Sequence, residues 1–437
     1  MQLHIGLDDT DSTSGGCTTY LAARIVKTLT KLEIKFTDYP NIIRLNPNIP
    51  YKTRGNAAVA LRLEVTETQY NTIRELVLEE IEQVSKIGQK DTDPAVVFLK
   101  QQPPSSIKRL AQRTLCEIVP VREAISKIKR SDAEAASYGS NLGLVGALAA
   151  IGNTIEQDHT FELIAYRRSQ NYRKPRRVDK NSVLRMNSLT TPFTFNNYDE
   201  ESKRVLLTPH GPDPILVGIR GETPEVVRKG FNLLTIHEPI ERWVIFRTNH
   251  ATDAHLKASK PGRVKPYSPV VISGTIAERP RRLVGGHVIF PIQAQQGLFT
   301  CAAFEPTGSF RDVITELIPG DRVTAFGGTP GKHGLTINLE KLWIHSLTNW
   351  ISFQNPRCPI CGKNLKSAGR AKGFKCRRCS TIAPDAKKIQ LYRERRLRPG
   401  IYLPGTKAHR HLIKPLCRYG HERIWNNKPP SGDWHRP

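Results

Sequence analysis

QLHIGLDDTDSTSGGCTTYLAARIVKTLTKL, residues 2–32, carries the first decision about the fold. Residues 2–8 read as a short strand that runs into a polar, glycine-bearing loop, Asp8 to Gly16. Leu21, Ile25, Leu29 and Leu32 then fall three or four apart, with Ala22 and Val26 beside them, so a helix with one apolar face is expected over 18–32. Further along, Val59, Leu61, Leu63 and Val65 alternate as a half-buried strand, and residues 69–86 return to a helical period through Ile73, Leu76, Ile81 and Val84. Strand, loop, helix, strand and helix in this order predict an α/β unit.

A second set runs from about 106 to 255, with FELIAYR (161–167), ILVGIRG (215–221) and WVIF (243–246) as strands of a mixed sheet carrying helices on one face. Thr223 before Pro224 and Glu225 marks a helix start, because threonine can cap free amides and proline suits the first helical position. The basic run Arg167, Arg168, Arg173, Lys174, Arg176 and Arg177 reads either as a loop that could lie on phosphates or as a solvated linker. From 264 to 347 five short apolar runs (VVISGTI, VIFPIQA, FTCAAF, RVTAFGG, LTINLEKLWI) separated by Gly and Pro turns predict a small closed barrel of the OB type. Such barrels bind single-stranded nucleic acid or serve as plain scaffolds.

The chain has 437 residues, enough for three or four domains, and 66 Lys and Arg against 40 Asp and Glu, a net charge of +26. Residues 358–437 hold 20 of those cations and 4 of the acids, so this tail carries +16 of the excess. That calls for a polyanion, and nucleic acid suits it better than a membrane surface, since no long amphipathic helix or lipidation motif accompanies the charge. No stretch approaches the roughly 20 apolar residues of a membrane span, and acids stand where a signal peptide would be apolar, so a cytoplasmic location is expected.

Two C-x2-C knuckles, Cys358/Cys361 and Cys376/Cys379, can bring four thiolates to one tetrahedral Zn²⁺. The 14 residues between them sit just under the usual window of about 15–20. A redox dithiol would need only one pair, and four thiolates leave no open position, so the metal is expected to be structural. Lys375, Arg377 and Arg378 beside the knuckles would face outward. Asp8, Asp9 and Asp11, with Thr10, Ser12, Gly15, Gly16, Cys17, Thr18 and Thr19, form the second signal. Three carboxylates this close repel one another unless a cation lies among them. Mg²⁺ bridging nucleotide phosphates would serve, with the amides at the following helix start receiving phosphate oxygens. Asp and Thr merely turning the chain is the alternative, and without a lysine the loop is no Walker A motif. Lys52-Thr53-Arg54-Gly55-Asn56 could add cations and a close backbone approach, or be a tight surface turn. The glycine-rich start Gly139 to Gly146, the segment His210 to Pro214 and the segment Thr248 to His255 could supply site residues, or only packing and loops.

Taken in order, GLDDTDSTSGGCTTYLA, KTRGNAAV, GLVGALAAIG, HGPDPILVGIRG, TNHATDAH, the barrel and the ribbon resemble the archaeal isoleucine-tRNA 2-agmatinylcytidine synthetases over almost the whole chain. The resemblance implies a multidomain α/β protein: an atypical ATP-binding kinase domain over 1–105, able to be completed by part of 195–255, and a ferredoxin-like α+β agmatine-binding domain over 106–255. An OB-fold over 264–347, a zinc ribbon over 355–384 and a basic tRNA-binding segment over 385–437 follow. It implies ATP, Mg²⁺ and structural Zn²⁺ as cofactors, and agmatine and the CAU-anticodon isoleucine tRNA as partners, with no membrane. The family replaces the carbon-2 oxygen of the wobble cytidine by agmatine, so that the tRNA reads AUA rather than AUG. Asp8, Asp9 and Asp11 match its acidic metal and ATP site, and Thr18 the threonine that receives phosphate. Lys52 and Arg54 match its basic motif, with Thr10, Ser12, Thr53 and Asn56 as further ATP or phosphate contacts.

Gly143, Gly146 and Asp213 are the candidate agmatine contacts, Asp213 as base or guanidinium partner. Arg377, Arg378, Arg395, Arg398, Arg410 and Lys414, with His411 among the last of them, are expected to hold tRNA phosphates. Leu142, where a basic residue is expected, and His250, where a glutamine is expected, depart from the pattern. Two rival readings remain: a non-catalytic single-strand-binding protein built on the barrel, ribbon and tail, and a metal-dependent nuclease using the aspartates.

Overall fold

The computed structural model describes residues 1–12, 15–50, 52, 55–89, 92–212, 214–258, 264–331, 336–370 and 372–436. The opening strand and helix form as their pattern dictates, as β1 (Gln2–Asp8) and α1 (Thr18–Lys31). Two further antiparallel neighbours flank β1: β3 (Ala57–Glu64) and β4 (Ala95–Leu99). The sheet continues through β2 (Asn41–Arg44) and β5 (Glu134–Ser137), and through β6 (Thr160–Arg167), β7 (Ile215–Gly221) and β8 (Ile240–Thr248). Its order is β7-β6-β8-β2-β3-β1-β4-β5, so both predicted strand sets lie in one sheet. They join where β8 runs parallel to β2, with Arg247 opposite Asn41 and Thr248 opposite Ile42.

The alternation in β3 predicts one wet face, and the structure corrects this. Val59, Leu61 and Leu63 pack under α1 and α2 (Glu67–Val84), the latter started by a Thr66/Gln69 capping box. The opposite positions, Ala58 and Ala60, are buried under α5 (Gly143–Gly152), their small side chains admitting the helix. Arg62 on that face is also buried, and its guanidinium donates to Asn41 Oδ1 and to the carbonyls of Ala150, Ile151 and Asn153. A buried cation is tolerated because its donors are met. Nor does the expected boundary at 105/106 separate one sheet from another. α3 (Ser105–Thr114), α4 (Val121–Arg130) and α5 contribute to the core built on β2, β3 and β4, so helices cover both faces of this region of the sheet. α6 (Lys180–Thr190) and α7 (Pro224–Asn232), the latter capped by Thr223, cover one face of β6, β7 and β8.

All five predicted barrel strands form: β9 (Pro269–Ile276), β10 (Val288–Ala294), β11 (Gly297–Ala303), β12 (Arg322–Gly328) and β13 (Ile337–Ser346). The order β9-β12-β13-β11-β10 closes through a β9–β10 pairing around Ile272, Phe290, Cys301, Val323 and Leu342. A two-stranded arm of β14 (Trp350–Gln354) and β15 (Ile389–Arg393) carries the cysteine knuckles at its far end. The chain then returns through β16 (Gly400–Tyr402) on β13 and runs back over the first sheet, ending in β17 (His435–Arg436) on β8.

Candidate active site

The loop after β1 is built by its own side chains. Thr18 N donates to Asp11 Oδ1 at 2.8 Å, and Thr18 Oγ1 reaches the same oxygen at 3.3 Å, so Asp11 closes the start of α1. Thr10 Oγ1 donates to Thr18 Oγ1 at 3.0 Å. Asp9 takes a left-handed φ of 56°. Thr10 and Ser12 are fully buried within the loop, where they bond Thr18 and Gly15.

Asp8, Asp9, Asp11 and Thr18 share one cavity with Lys52, Asn56, Leu142, Gly143 and Gly146, walled on its apolar side by Leu45, Ile49, Ile118 and Val119. Gly143 and Gly146, the two glycines expected at agmatine, thus line the cavity that holds the aspartates. A Cβ on Gly146 would fall 1.7 Å from Asp8 Oδ2, so only glycine lets α5 come this close. Burial, and then Asp9 and Asp11, push the Asp8 carboxyl well above the usual carboxylate range. A cation arriving there would relieve that penalty. The donor atoms of the three carboxylates do not all fall within 4.8 Å of one another. Thr53, Arg54 and Asp213 lie outside the described residues.

A second cavity of about 420 Å³ opens on the other side of the same loop. Asp11, Thr18, Asn56 and Ala57 line both. The second is otherwise lined by Arg44, Glu162 and Arg220, by the segment 204–210, and by Lys407 and His411 from the end of the chain. Glu162 accepts from Arg220 Nε at 3.1 Å and lies 3.5 Å from Arg44 Nη2 and 3.7 Å from His250 Nδ1. Burial alone would raise its carboxyl, but Arg220, His250 and Arg44 hold it well below the usual range. Arg44 and Glu162 had no motif to announce them, and Arg220, within HGPDPILVGIRG, was not singled out. The only signal was a charge inside each of the apolar strands NIIR, FELIAYR and ILVGIRG.

Three family profiles match the chain: the TiaS TCKD domain over residues 4–140, the TiaS FLD domain over 141–255 and the TiaS C-terminal zinc ribbon domain over 355–397. The isoleucine-tRNA 2-agmatinylcytidine synthetase TiaS of Pyrococcus horikoshii is 41% identical over 417 residues, covering 95% of this chain and 97% of that protein. That of Staphylothermus marinus is 40% identical over 440 residues, covering 96% and 94%. The chain belongs to the TiaS family. A solved complex of TiaS with its isoleucine tRNA and ATP superposes with a TM-score of 0.88 at 37% identity, covering 96% of this chain and 97% of that one. A TiaS complex with the same tRNA, AMPCPP and agmatine gives 0.85 at 36%, with the same coverage.

Within the family frame, both departures fall at the cavities. Leu142 lines the first. His250 is buried behind the second, edge-on to His411 with ring centroids 5.0 Å apart, and burial and Arg220 push its pKa down to about 3. In the family's ribbon region, Cys358 and Cys379 Sγ lie 3.4 Å apart, as do Cys361 and Cys376. All four sulfurs fall within 4.8 Å of one another, the one such group among the described residues. Tetrahedral zinc at about 2.3 Å from each thiolate sets sulfurs about 3.8 Å apart, so the donors fit. Lys375, Arg377 and Arg378 point outward beside them.

The expected basic segment 385–437 holds buried as well as exposed cations. Arg395 is buried on Asp321, at 2.7 Å, and Lys414 is buried against Asp158 and Glu422. Neither is available to phosphate. Arg418 is fully buried between Glu222 and Asp158. Arg398 stays exposed and Arg410 half-exposed, the latter bonded to Asn48 and Glu340. Residues 404–436 form a strap, with Leu412 and Ile413 buried and Trp425 and Trp434 packed around Tyr39.

Proposed function

We propose that the chain is an ATP-dependent enzyme that joins agmatine to carbon 2 of the wobble cytidine in the CAU anticodon of isoleucine tRNA. The observation that carries this reading is the pair of cavities meeting at Asp11 and Thr18: one acidic and apolar-walled, the other lined by Arg44, Glu162 and Arg220. ATP takes the first. Its γ-phosphoryl passes to the cytosine carbon-2 oxygen, forming an O–P bond and releasing ADP. The primary amine of agmatine then forms the N–C2 bond as the C2–O bond breaks, the oxygen leaving with inorganic phosphate and the amine giving up a proton. A pyrimidine carbonyl oxygen is a poor leaving group until phosphorylated, so activation comes first.

Asp8 and Asp9 would hold Mg²⁺, which neutralises charge on the phosphates when bound, while Lys52 and Asn56 orient them. Thr18, bonded to Asp11 and open to both cavities, would meet the transferred phosphoryl group, a reading that its exposure to both supports. Arg44 and Arg220, each partly exposed to the cavity, offer charge to the acceptor side, where the extruded base must enter. Asp213 remains the proposed partner of the agmatine guanidinium or base for its amine.

The nucleotide-binding unit is kinase-like and extends to about residue 140, since α3 and α4 pack on it, and α5 completes its cavity. The ferredoxin-like unit over about 141–255 bears the acceptor side. The OB barrel and ribbon, with Arg377, Arg378, Arg398 and Arg410, hold tRNA. Zinc on the four cysteines is structural. Mass analysis of the wobble nucleoside after incubation with ATP and agmatine tests the whole. An added agmatine group is expected, with Asp8→Ala and Asp9→Ala each lowering its formation about 100-fold or more. Unchanged product in both variants, or strand cleavage without ATP, overturns the assignment.

A further inference from the structure

We propose that His411, delivered by the C-terminal strap, is a positioning residue of the acceptor cavity: its ring wedges between the Gly55 turn and His250 and so fixes Arg44 and Glu162 for the incoming base and amine. The inference rests on the functional reading above and adds to it a portion of the site that comes from the far end of the chain.

Three observations carry it. His411 lines the second cavity together with Arg44, Gly55, Glu162 and Arg220. Its ring stands edge-on to His250, at 5.0 Å and 81°, and His250 Nδ1 lies 3.7 Å from Glu162. On its other side the ring lies against Gly55. A Cβ built there would come within 2.6 Å of His411 Nε2 and 3.0 Å of Arg44 Nη1, so the turn can approach only as glycine.

The ring is held from outside the cavity. Ala251 N donates to the His411 carbonyl at 2.8 Å, and Asp253 N to that of Leu412 at 2.8 Å. Arg410 is tied to Asn48 and to Glu340 of the barrel. Burial, and then Arg44, His250 and Arg220, push the His411 pKa well below its ordinary value, so an uncharged ring sits beside two guanidiniums without repelling them.

A wedge acts by shape, and small displacements of reacting groups are costly: about 1 Å can lower a rate 100-fold. The test uses the full-length chain with ATP, agmatine and the CAU-anticodon tRNA, comparing His411→Ala, His411→Phe, Gly55→Ala and the Gly55→Ala/His411→Ala double variant. His411→Ala is expected to lower product formation about tenfold or more, with ATP affinity within about twofold of wild type. His411→Phe keeps the wedge and is expected to regain most of that loss. Gly55→Ala should be damaging alone and add little once the ring is gone, a non-additive pair.

Product formation within about twofold of wild type in His411→Ala overturns the inference. So does failure of His411→Phe to recover, which would assign the work to the ring nitrogens, and so does a parallel loss of ATP binding and thermal stability, which would make the residue a support of the fold alone. A wild-type chain that makes no agmatinylated nucleoside sinks the functional reading and this inference together. An active wild type with an equally active His411→Ala sinks only the inference.

Discussion

The zinc ribbon and the C-terminal strap follow each other in the chain, are both rich in Lys and Arg, and use that charge in opposite ways. In the ribbon Lys375, Arg377 and Arg378 stand in solvent beside the thiols. In the strap Arg418 and Lys414 are buried on Asp158, Glu222 and Glu422, and just before it Arg395 is buried on Asp321. The difference lies in how each segment is held. Four sulfurs on one metal can fix a small fold with few apolar residues, leaving its charges free. The strap has no core of its own and is fixed by aromatic packing and by ion pairs to carboxylates far away in the chain, Arg418 reaching Asp158 and Glu222 from 260 and 196 residues distant. A net charge of +16 over the tail thus says little about how many cations an RNA can reach.

Each mode of anchoring responds to its own perturbation. Zinc removal should have the largest effect, because structural zinc contributes about 10–16 kcal/mol to small thiolate sites. Chelation is expected to open residues 355–397 to protease while the barrel and strap stay protected, and loss of the strap as well would contradict separate anchoring. Arg418→Ala leaves Glu222 buried without its cation and Asp158 with Lys414 alone, and should cost about 3–5 kcal/mol, read by thermal or denaturant unfolding. A loss under about 1 kcal/mol would return Arg418 to the pool of RNA-binding cations. Arg377→Ala with Arg378→Ala should leave unfolding unchanged, weaken tRNA binding and lower the slope of log affinity against log salt by about 1 for each residue.

The smallest effect concerns acid. Lys414 holds the Glu422 carboxyl down to about 2 from an ordinary 4.5. A depressed carboxylate stabilises the fold above its unfolded pKa, and that contribution fades as pH falls from 4.5 and is gone below about 2. Glu422→Gln should flatten this limb of the melting temperature against pH and leave the neutral side with only a small drop. An unchanged acid limb would show that Lys414 is anchored by Asp158 alone.

Much of this was legible in the chain because it depends on neighbours in sequence. The Asp8–Thr18 loop, the capped start of α7, the five barrel strands and the cysteine spacing each follow from residues within a few positions of one another. The alternation in β3 misled, since Ala58 and Ala60 are small for the approach of α5 rather than exposed, and Arg62 is buried on the carbonyls of Ala150 and Asn153, 88 and 91 residues away. The strand charges Arg44, Glu162 and Arg220 were visible as letters but not as a site, because each needs the other two to be tolerable in a buried place.

Sequence alone determined the clustering of the four ribbon cysteines, the acidic loop and the five barrel strands, as short-range spacing fixes which atoms can meet. Tertiary structure alone decided that Gly146 backs Asp8, that two cavities share Asp11 and Thr18, and that His411 reaches a site begun at the opposite end of the chain. Those meetings rest on sheet order and on burial of charge against charge, which depend on the whole folded chain and leave no local periodicity to read.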